Sequence, residues 1–488
     1  MAAFPPHDAS ALAWVALAPL FVAARRSPPL RAAAAGLLAG FVFQTGYGWW
    51  VVPAGLHPGA YLLGCAFAAL FPGGFAAAAA WQHRRAPAWS GLAFPALWVL
   101  AEYARGHVGF GSSPWGMLGY TQLGVTPVAR IAAAAGVLGV SFALAAVNGA
   151  LAWAVDGRSW RAPGGLGAAL ALTAALALSW VGVRREPATP PRTLRVAIVQ
   201  AGRGDDVVPD SEAAARLLER EGQLTRSAAA GGAALVVWPE SSVPAPLPKD
   251  RAALGNLARL ARELQIHLLV SATRHDSAVE GETGARANSA FLFGPSGRLE
   301  GRYDKLRLLP FVEYVPARGW VAWPQWIAPP MNDAAPGDAQ TVFGVDGARF
   351  AVQLCWENFF PGTLRSVAPD PLDFAVSMTN EAFASAAAGR RQLYQINAMR
   401  AVESGAPLVR AATTGVSAIL GPDGRELARV RGGDGSDLDA IGFALADVPL
   451  QNPPSPYARA GDWLVAAAAL VSGAAAVAAL RRRRGGAR

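Results

Sequence analysis

Arg349-Phe350-Ala351-Val352-Gln353-Leu354-Cys355-Trp356-Glu357-Asn358 is a short apolar run that closes on one of only two cysteines in the chain. Residues 349–354 read as a buried strand, and the polar turn after Cys355 as the start of another element. A thiol displayed at such an elbow is a candidate nucleophile. Upstream, Val236-Val237-Trp238-Pro239-Glu240 ends a second buried-strand pattern on a carboxylate, and Tyr303-Asp304-Lys305-Leu306 supplies an ammonium. A carboxylate, an ammonium and a thiol arriving separately at strand ends point to covalent acyl transfer. Each also has a plainer reading: Glu240 as an N-cap or loop residue, Lys305 as a solvated turn lysine, Cys355 as an inert buried thiol.

The surrounding pattern places these residues on an α/β scaffold. Segments 194–200, 234–238, 267–272, 289–293, 374–378 and 408–412 read as further strands, and 211–230, 250–265 and 389–404 as helices. Continuous Val/Ile/Leu runs indicate strands covered on both faces, hence an α/β sandwich over 193–450. Residues 416–420 and 426–430, joined by Gly-Pro-Asp-Gly, read as a hairpin beside it. Reactive groups of such sheets gather beyond the carboxyl ends of the strands, as Glu240, Lys305 and Cys355 do.

The rest of the chain is too apolar for an ordinary soluble protein: of 488 residues, 53% are hydrophobic and 16% charged. Segments 11–24, 32–52, 60–81, 89–103, 128–155 and 166–183 read as six membrane spans over 1–185, and 463–480 as a seventh. The net charge of +9 lies in short arginine clusters between apolar stretches, which favours membrane orientation over nucleic acid binding. Arg25, Arg26 and Arg31, Arg84 and Arg85, Arg158 and Arg161, and Arg481 to Arg484 follow alternate spans, so those loops face the cytoplasm and residues 193–450 face outward. Arg184 and Arg185 oppose this assignment but lead into a long domain, where the charge rule loses force. Cys65 lies inside an apolar segment as a small hydrophobe, which excludes a disulfide framework. Residues 106–126, rich in Gly and aromatics, read either as an interfacial lipid-holding segment or as an aromatic-belt anchor. Glu102 and Arg105 are spaced to pair on a helix end.

These motifs resemble the nitrilase, or carbon-nitrogen hydrolase, superfamily. Within it the whole chain is similar to the apolipoprotein N-acyltransferase family. The resemblance rests on Trp238-Pro239-Glu240-Ser241, on Tyr303-Asp304-Lys305 followed by Leu309-Pro310-Phe311-Val312-Glu313-Tyr314-Val315-Pro316, and on Cys355-Trp356-Glu357. Met399-Arg400-Ala401-Val402-Glu403, Pro407-Leu408-Val409-Arg410 and Pro456-Tyr457-Ala458-Arg459-Ala460-Gly461-Asp462-Trp463 add to it. The chain departs from the family at Asn380-Glu381-Ala382-Phe383-Ala384, where Asn-Asp-x-Trp-Phe is usual, and at Arg410-Ala411-Ala412-Thr413-Thr414-Gly415, where Arg-x-Thr-Asn-x-Gly is usual. Phe311-Val312-Glu313 stands for Phe-Gly-Glu, and the family commonly has one more N-terminal span.

The resemblance implies a membrane domain joined to an αββα nitrilase-like sandwich in the bacterial inner membrane, with no cofactor and no metal. It implies catalytic Glu240, Lys305 and Cys355, with Glu313, Trp356 and Glu357 in support. It implies a phospholipid acyl donor, attacked at the sn-1 ester, a Cys355 thioester, and transfer to the N-terminal amine of a diacylated apolipoprotein. Two other readings stay open at this level. One is a membrane-anchored amidase of the nitrilase type; the other is a catalytically silent, lipoprotein-binding membrane paralogue.

Overall fold

A computed structural model describes residues 1–109, 114–155, 162–183, 192–202, 212–275, 286–328, 331–365, 371–451 and 453–485. The chain divides into two compact units, Met1–Glu186 with Ser455–Arg488, and Pro187–Pro454.

The first unit is helical. Its elements are α1 (Ala18–Arg26), α2 (Pro29–Tyr47), α3 (Pro58–Arg85), α4 (Ser90–His107), the single turn α5 (Thr126–Ala129), α6 (Ala132–Val155) and α7 (Pro163–Val183), with α12 (Pro456–Ala460) and α13 (Trp463–Gly485) from the C-terminal part. Among the described residues four helical stretches are long and apolar enough to cross a membrane: Pro58–Arg85, Ala132–Val155, Pro163–Trp180 and Trp463–Arg481. The segments 32–52 and 89–103 form α2 and α4, which are long enough but less apolar.

The first expected span, 11–24, differs. It consists of a 3-10 turn, Ser10–Trp14, followed by the 9-residue α1, and nine residues rise only about 14 Å. Asn148 of α6 makes that break possible. Its Oδ1 accepts the Leu17 and Ala18 amides at 2.8 and 2.9 Å, and its Nδ2 donates to the Ala13 carbonyl at 3.0 Å. Backbone groups freed inside an apolar bundle are thus satisfied by protein rather than by water.

Glu102 and Arg105 are buried and both reach the segment after α4, where Glu102 Oε1 accepts the Leu118 amide at 2.8 Å and Arg105 donates to the Trp115 carbonyl. Within the Gly- and aromatic-rich loop, Trp115 packs on Trp50 with ring centroids 5.0 Å apart. Residues 110–113 of that loop, and the arginines 158, 161, 184 and 185, lie outside the described residues. Small residues set the helix spacing. A Cβ on Gly36 would lie 2.3 Å from the Pro72 carbonyl oxygen, and one on Gly91 would lie 2.1 Å from the Gly164 carbonyl oxygen.

The second unit is a two-sheet sandwich. Its first sheet is built from β1 (Thr193–Gln200), β2 (Leu235–Val237), β3 (Val243–Pro248), β4 (His267–His275), β5 (Arg286–Phe293), β6 (Leu299–Asp304) and β13 (Gly442–Pro449), in the order β13-β1-β2-β4-β5-β6 with β3 beside β4. The second has β7 (Val342–Val345), β8 (Ala348–Leu354), β9 (Phe374–Thr379), β10 (Leu408–Ala412), β11 (Ala418–Leu420) and β12 (Glu426–Arg429), in the order β12-β11-β10-β9-β8-β7. The central strands of each sheet run parallel, and antiparallel strands flank them.

The inner faces meet in one core. Val196, Ile198, Val237 and Leu292 from the first sheet pack with Phe350, Val352, Val376 and Val409 from the second. The outer face of the first sheet is covered by α8 (Glu212–Ala230) and α9 (Arg251–Leu264), through residues such as Ala228, Leu257 and Leu260. On the second sheet lies α11 (Ala387–Ser404), whose Asn397 accepts from the Ser377 hydroxyl of β9 at 2.6 Å; a further single turn, α10 (Gly362–Arg365), follows β8. The fold is therefore the αββα sandwich. Its parallel strands β2, β8, β9 and β10 carry their C-terminal ends to one rim, and the candidate residues sit on that rim.

The Gly91 contact is with backbone, which cannot swing aside. Gly91→Val is expected to lower the thermal unfolding midpoint of the detergent-solubilised protein, with an overpacking cost of about 1–3 kcal/mol. Gly64→Ala, whose Cβ meets nothing within 4 Å, is expected to leave it unchanged.

Candidate active site

Glu240 stands three residues beyond the end of β2, where Trp238 ties the strand to α8 by donating its indole N–H to Thr225 Oγ1 at 2.8 Å. Ser241 adopts φ +54°, a left-handed turn that a non-glycine residue adopts only at a cost. The chain reverses there, and the Glu240 side chain is left buried at 4% exposure. Its two oxygens are held separately. Oε1 accepts from Asn288 Nδ2 at 2.6 Å and lies 3.7 Å from Lys305 Nζ; Oε2 accepts from the Asn380 amide at 2.7 Å.

Lys305 follows β6 directly, and its amide donates to the Asn288 carbonyl at 2.9 Å. Its ammonium is 1% exposed and donates to both oxygens of Glu313, at 2.9 and 2.8 Å. Glu313 Oε2 also accepts the Leu309 amide at 2.6 Å, which closes the Leu309–Glu313 loop around the lysine. Burial alone would drive the ammonium toward neutrality, but the charges of Glu240, Cys355 and Glu313 outweigh it and hold the Lys305 pKa above its ordinary value. Lys305 is therefore a fixed cation.

Cys355 follows β8 directly, at φ +48°, and opens a 3-10 turn, Cys355–Phe359. It is half-buried. Burial pushes its thiol well above the usual range, the Glu240 charge adds to that, and Lys305 opposes it. Glu240 is also raised, first by burial and then by Glu313, against Lys305 and its two hydrogen-bond donors. Glu240 and Cys355 are thus coupled to one another and to one ammonium, and both bind protons more tightly than they would in water.

Glu357 lies beneath this group, fully buried. Its Oε1 accepts from the Tyr303 hydroxyl at 2.7 Å, the Leu306 amide at 2.8 Å and the Arg307 amide at 3.1 Å, and its Oε2 from the Leu354 amide at 2.8 Å. One carboxylate therefore joins the chain on either side of Lys305 to the residue before Cys355. Trp356 faces elsewhere, packed on Phe359 and Phe360 at centroid distances of 4.6 and 5.7 Å.

Asn288 carries no signal in the sequence pattern, and the segment that contains Asn380 gives none that its amide serves Glu240. Asn288 sits mid-strand in β5 and its Nδ2 serves both Glu240 and, at 3.3 Å, Glu313. Asn380 lies in the stretch that departs from the family pattern. Its side-chain oxygen accepts from Thr413 Oγ1 at 3.1 Å, Thr413 in turn accepts the Glu381 amide at 2.9 Å, and the buried Glu381 carboxylate pairs with Arg410.

The chain matches two family models, the apolipoprotein N-acyltransferase N-terminal domain over residues 1–150 and carbon-nitrogen hydrolase over residues 195–441. It is 32% identical to an apolipoprotein N-acyltransferase of Nitrosomonas europaea, over 95% of this chain and 92% of that one. This chain belongs to the apolipoprotein N-acyltransferase family. A relative of the same name from Azotobacter vinelandii is 34% identical, over 86% of this chain and 82% of that protein. A solved amidase from Nesterenkonia sp. is similar to 52% of this chain and 90% of its own, with a TM-score of 0.39 and 21% identity. Within the family framework, Glu240, Lys305 and Cys355 fall in the part matched by the carbon-nitrogen hydrolase model.

Glu357→Gln would turn an NH2 toward a site that holds donors only. The variant is expected to lose about 2–3 kcal/mol of stability, read as a lower unfolding midpoint in detergent, whereas Tyr303→Phe, which removes one donor of four, is expected to lose about 1 kcal/mol.

Proposed function

We propose that this protein transfers a fatty acyl chain from a membrane phospholipid, through a thioester on Cys355, to the N-terminal amine of a diacylated apolipoprotein. The observation that carries the reading is the buried Glu240–Lys305 pair, 3.7 Å apart and electrostatically coupled to the Cys355 thiol, in a chain of this family.

In the first half-reaction Glu240 accepts the thiol proton as sulfur attacks the ester carbonyl carbon. The carbon–oxygen bond to glycerol breaks, and the proton on Glu240 passes to the departing alkoxide, releasing a lysophospholipid. In the second, the apolipoprotein amine attacks the thioester carbon, the carbon–sulfur bond breaks, and the amine proton passes by way of Glu240 to the departing Cys355 sulfur, which restores the thiol. Lys305 stabilises the oxyanion of each tetrahedral intermediate, since its charge is fixed and it is held by Glu313. Asn288 and the Asn380 amide orient Glu240. Trp356, with Phe359 and Phe360, forms the apolar wall of the turn that carries the thiol.

Both substrates carry long chains, and each methylene drawn into water costs about 0.8 kcal/mol. The apolar helices of the first unit support a membrane location. We place the protein in the bacterial inner membrane with residues 193–450 on the periplasmic side, in keeping with the alternating basic loops. The sn-1 ester of phosphatidylethanolamine is the donor we favour.

Incubation of the purified protein with phospholipid labelled in its sn-1 chain and a diacylated lipopeptide tests the proposal. Label is expected first on Cys355 and then on the lipopeptide amine; hydrolysis of small amides without acyl transfer would instead identify a membrane-anchored amidase. Cys355→Ser is expected to form no thioester, and Lys305→Ala to lose about 10²–10³-fold in acylation rate.

The pH dependence has a definite sign. Glu240 acts as the carboxylate, and burial raises its pKa, so protonation at low pH removes the base. Acyl-enzyme formation is expected to rise with pH through an acid limb above the ordinary glutamate value of about 4.3. Glu240→Gln is expected to abolish that limb along with most of the rate, as single-turnover acylation across a pH series would show.

A further inference from the structure

Arg307 differs from the other arginines near the rim. Arg274 and Arg302 pair with Asp304, at 2.8 and 3.2 Å, and Arg318 pairs with Asp333 at 2.6 Å. Among the described residues the Arg307 guanidinium pairs with no carboxylate, and the side chain is exposed. Its carbon Cζ stands 4.4 Å from the centroid of the Phe360 ring. Phe360 is itself buried, at 6% exposure, and packs on Trp356, the residue next to Cys355. The Arg307 amide is fixed on Glu357, the same carboxylate that holds the residue before the thiol. A cation is therefore stationed over the turn that presents the nucleophile, with its backbone fixed from one side and its charge held by a ring from the other.

We infer that Arg307 recognises the phosphate of the acyl donor. The inference rests on the phospholipid donor proposed above. A guanidinium over an aromatic face is preorganised, yet the ring accepts no conventional hydrogen bond from it, so its forked donors remain for a phosphate oxygen pair. In a phospholipid the phosphate lies one glycerol backbone from the sn-1 ester, and Arg307 lies two residues from Lys305, the proposed oxyanion partner of that ester. The acceptor carries a thioether where the donor carries a phosphodiester. Arg307 therefore acts on the first half-reaction and discriminates donor from acceptor, which share the diacylglyceryl body.

The test is acylation of the full-length protein in detergent micelles, followed by intact mass. Phosphatidylethanolamine or phosphatidylglycerol is compared with diacylglycerol of the same chains, for the wild type, Arg307→Ala and Arg307→Lys. Arg307→Ala is expected to raise the half-saturating phospholipid concentration about tenfold or more, the loss of a charge-assisted hydrogen bond, with the saturating rate kept. Arg307→Lys should fall between, and acylation by diacylglycerol should not change. Equal losses with both donor types would assign Arg307 a structural role and overturn the inference, as would an Arg307→Ala protein indistinguishable from wild type on phospholipid. A wild type that takes no acyl chain from any phospholipid would overturn the donor reading itself and this inference with it.

Discussion

A single buried carboxylate organises the rim of the sandwich. Glu357 has no access to solvent, and an ionised carboxylate so placed costs several kcal/mol unless donors replace its water. Four do, and they come from two places: Tyr303, Leu306 and Arg307 around the end of β6, and Leu354 at the end of β8. These strands belong to different sheets. The requirement to satisfy one charge thus fixes the lysine-bearing chain against the cysteine-bearing chain, across a core that by itself specifies only that the sheets be in contact.

Above that clamp the local charge is unbalanced. Two carboxylates, Glu240 and Glu313, face one ammonium, and the excess negative charge lies beside a thiol that burial already disfavours as an anion. Burial and this excess negative charge both favour the neutral thiol over a thiolate–ammonium pair. In the proposed mechanism, a proton removed only during attack leaves the sulfur uncharged until an electrophile arrives.

The parts of this structure that a local pattern determines were legible in the sequence, and those that depend on distant partners were not. The run 349–354 became β8 and 374–378 became β9 because continuous apolar residues have one outcome when both faces are covered. The edge strands of the first sheet were hidden: β6, Leu-Glu-Gly-Arg-Tyr-Asp, buries only Tyr303, and β13 alternates weakly, so neither stands out from a loop. Glu240, Lys305, Cys355 and Glu313 could be named because their neighbours form recognisable motifs. Asn288 could not, since a mid-strand asparagine looks like a solvent-facing one. The break within 11–24 was equally invisible, for its repair comes from Asn148, which is 131 residues away from Leu17.

Asn380 acts on Glu240 through its amide, and an amide belongs to the chain rather than to a side chain. Substitution at 381–384 can therefore exchange one residue for another without deleting this donor, provided the turn keeps its path. The unusual side chains of Glu381, Phe383 and Ala384 and an intact hydrogen bond to Glu240 are compatible for that reason. The main chain insulates the Glu240 carboxylate from side-chain replacement in the segment that supports it.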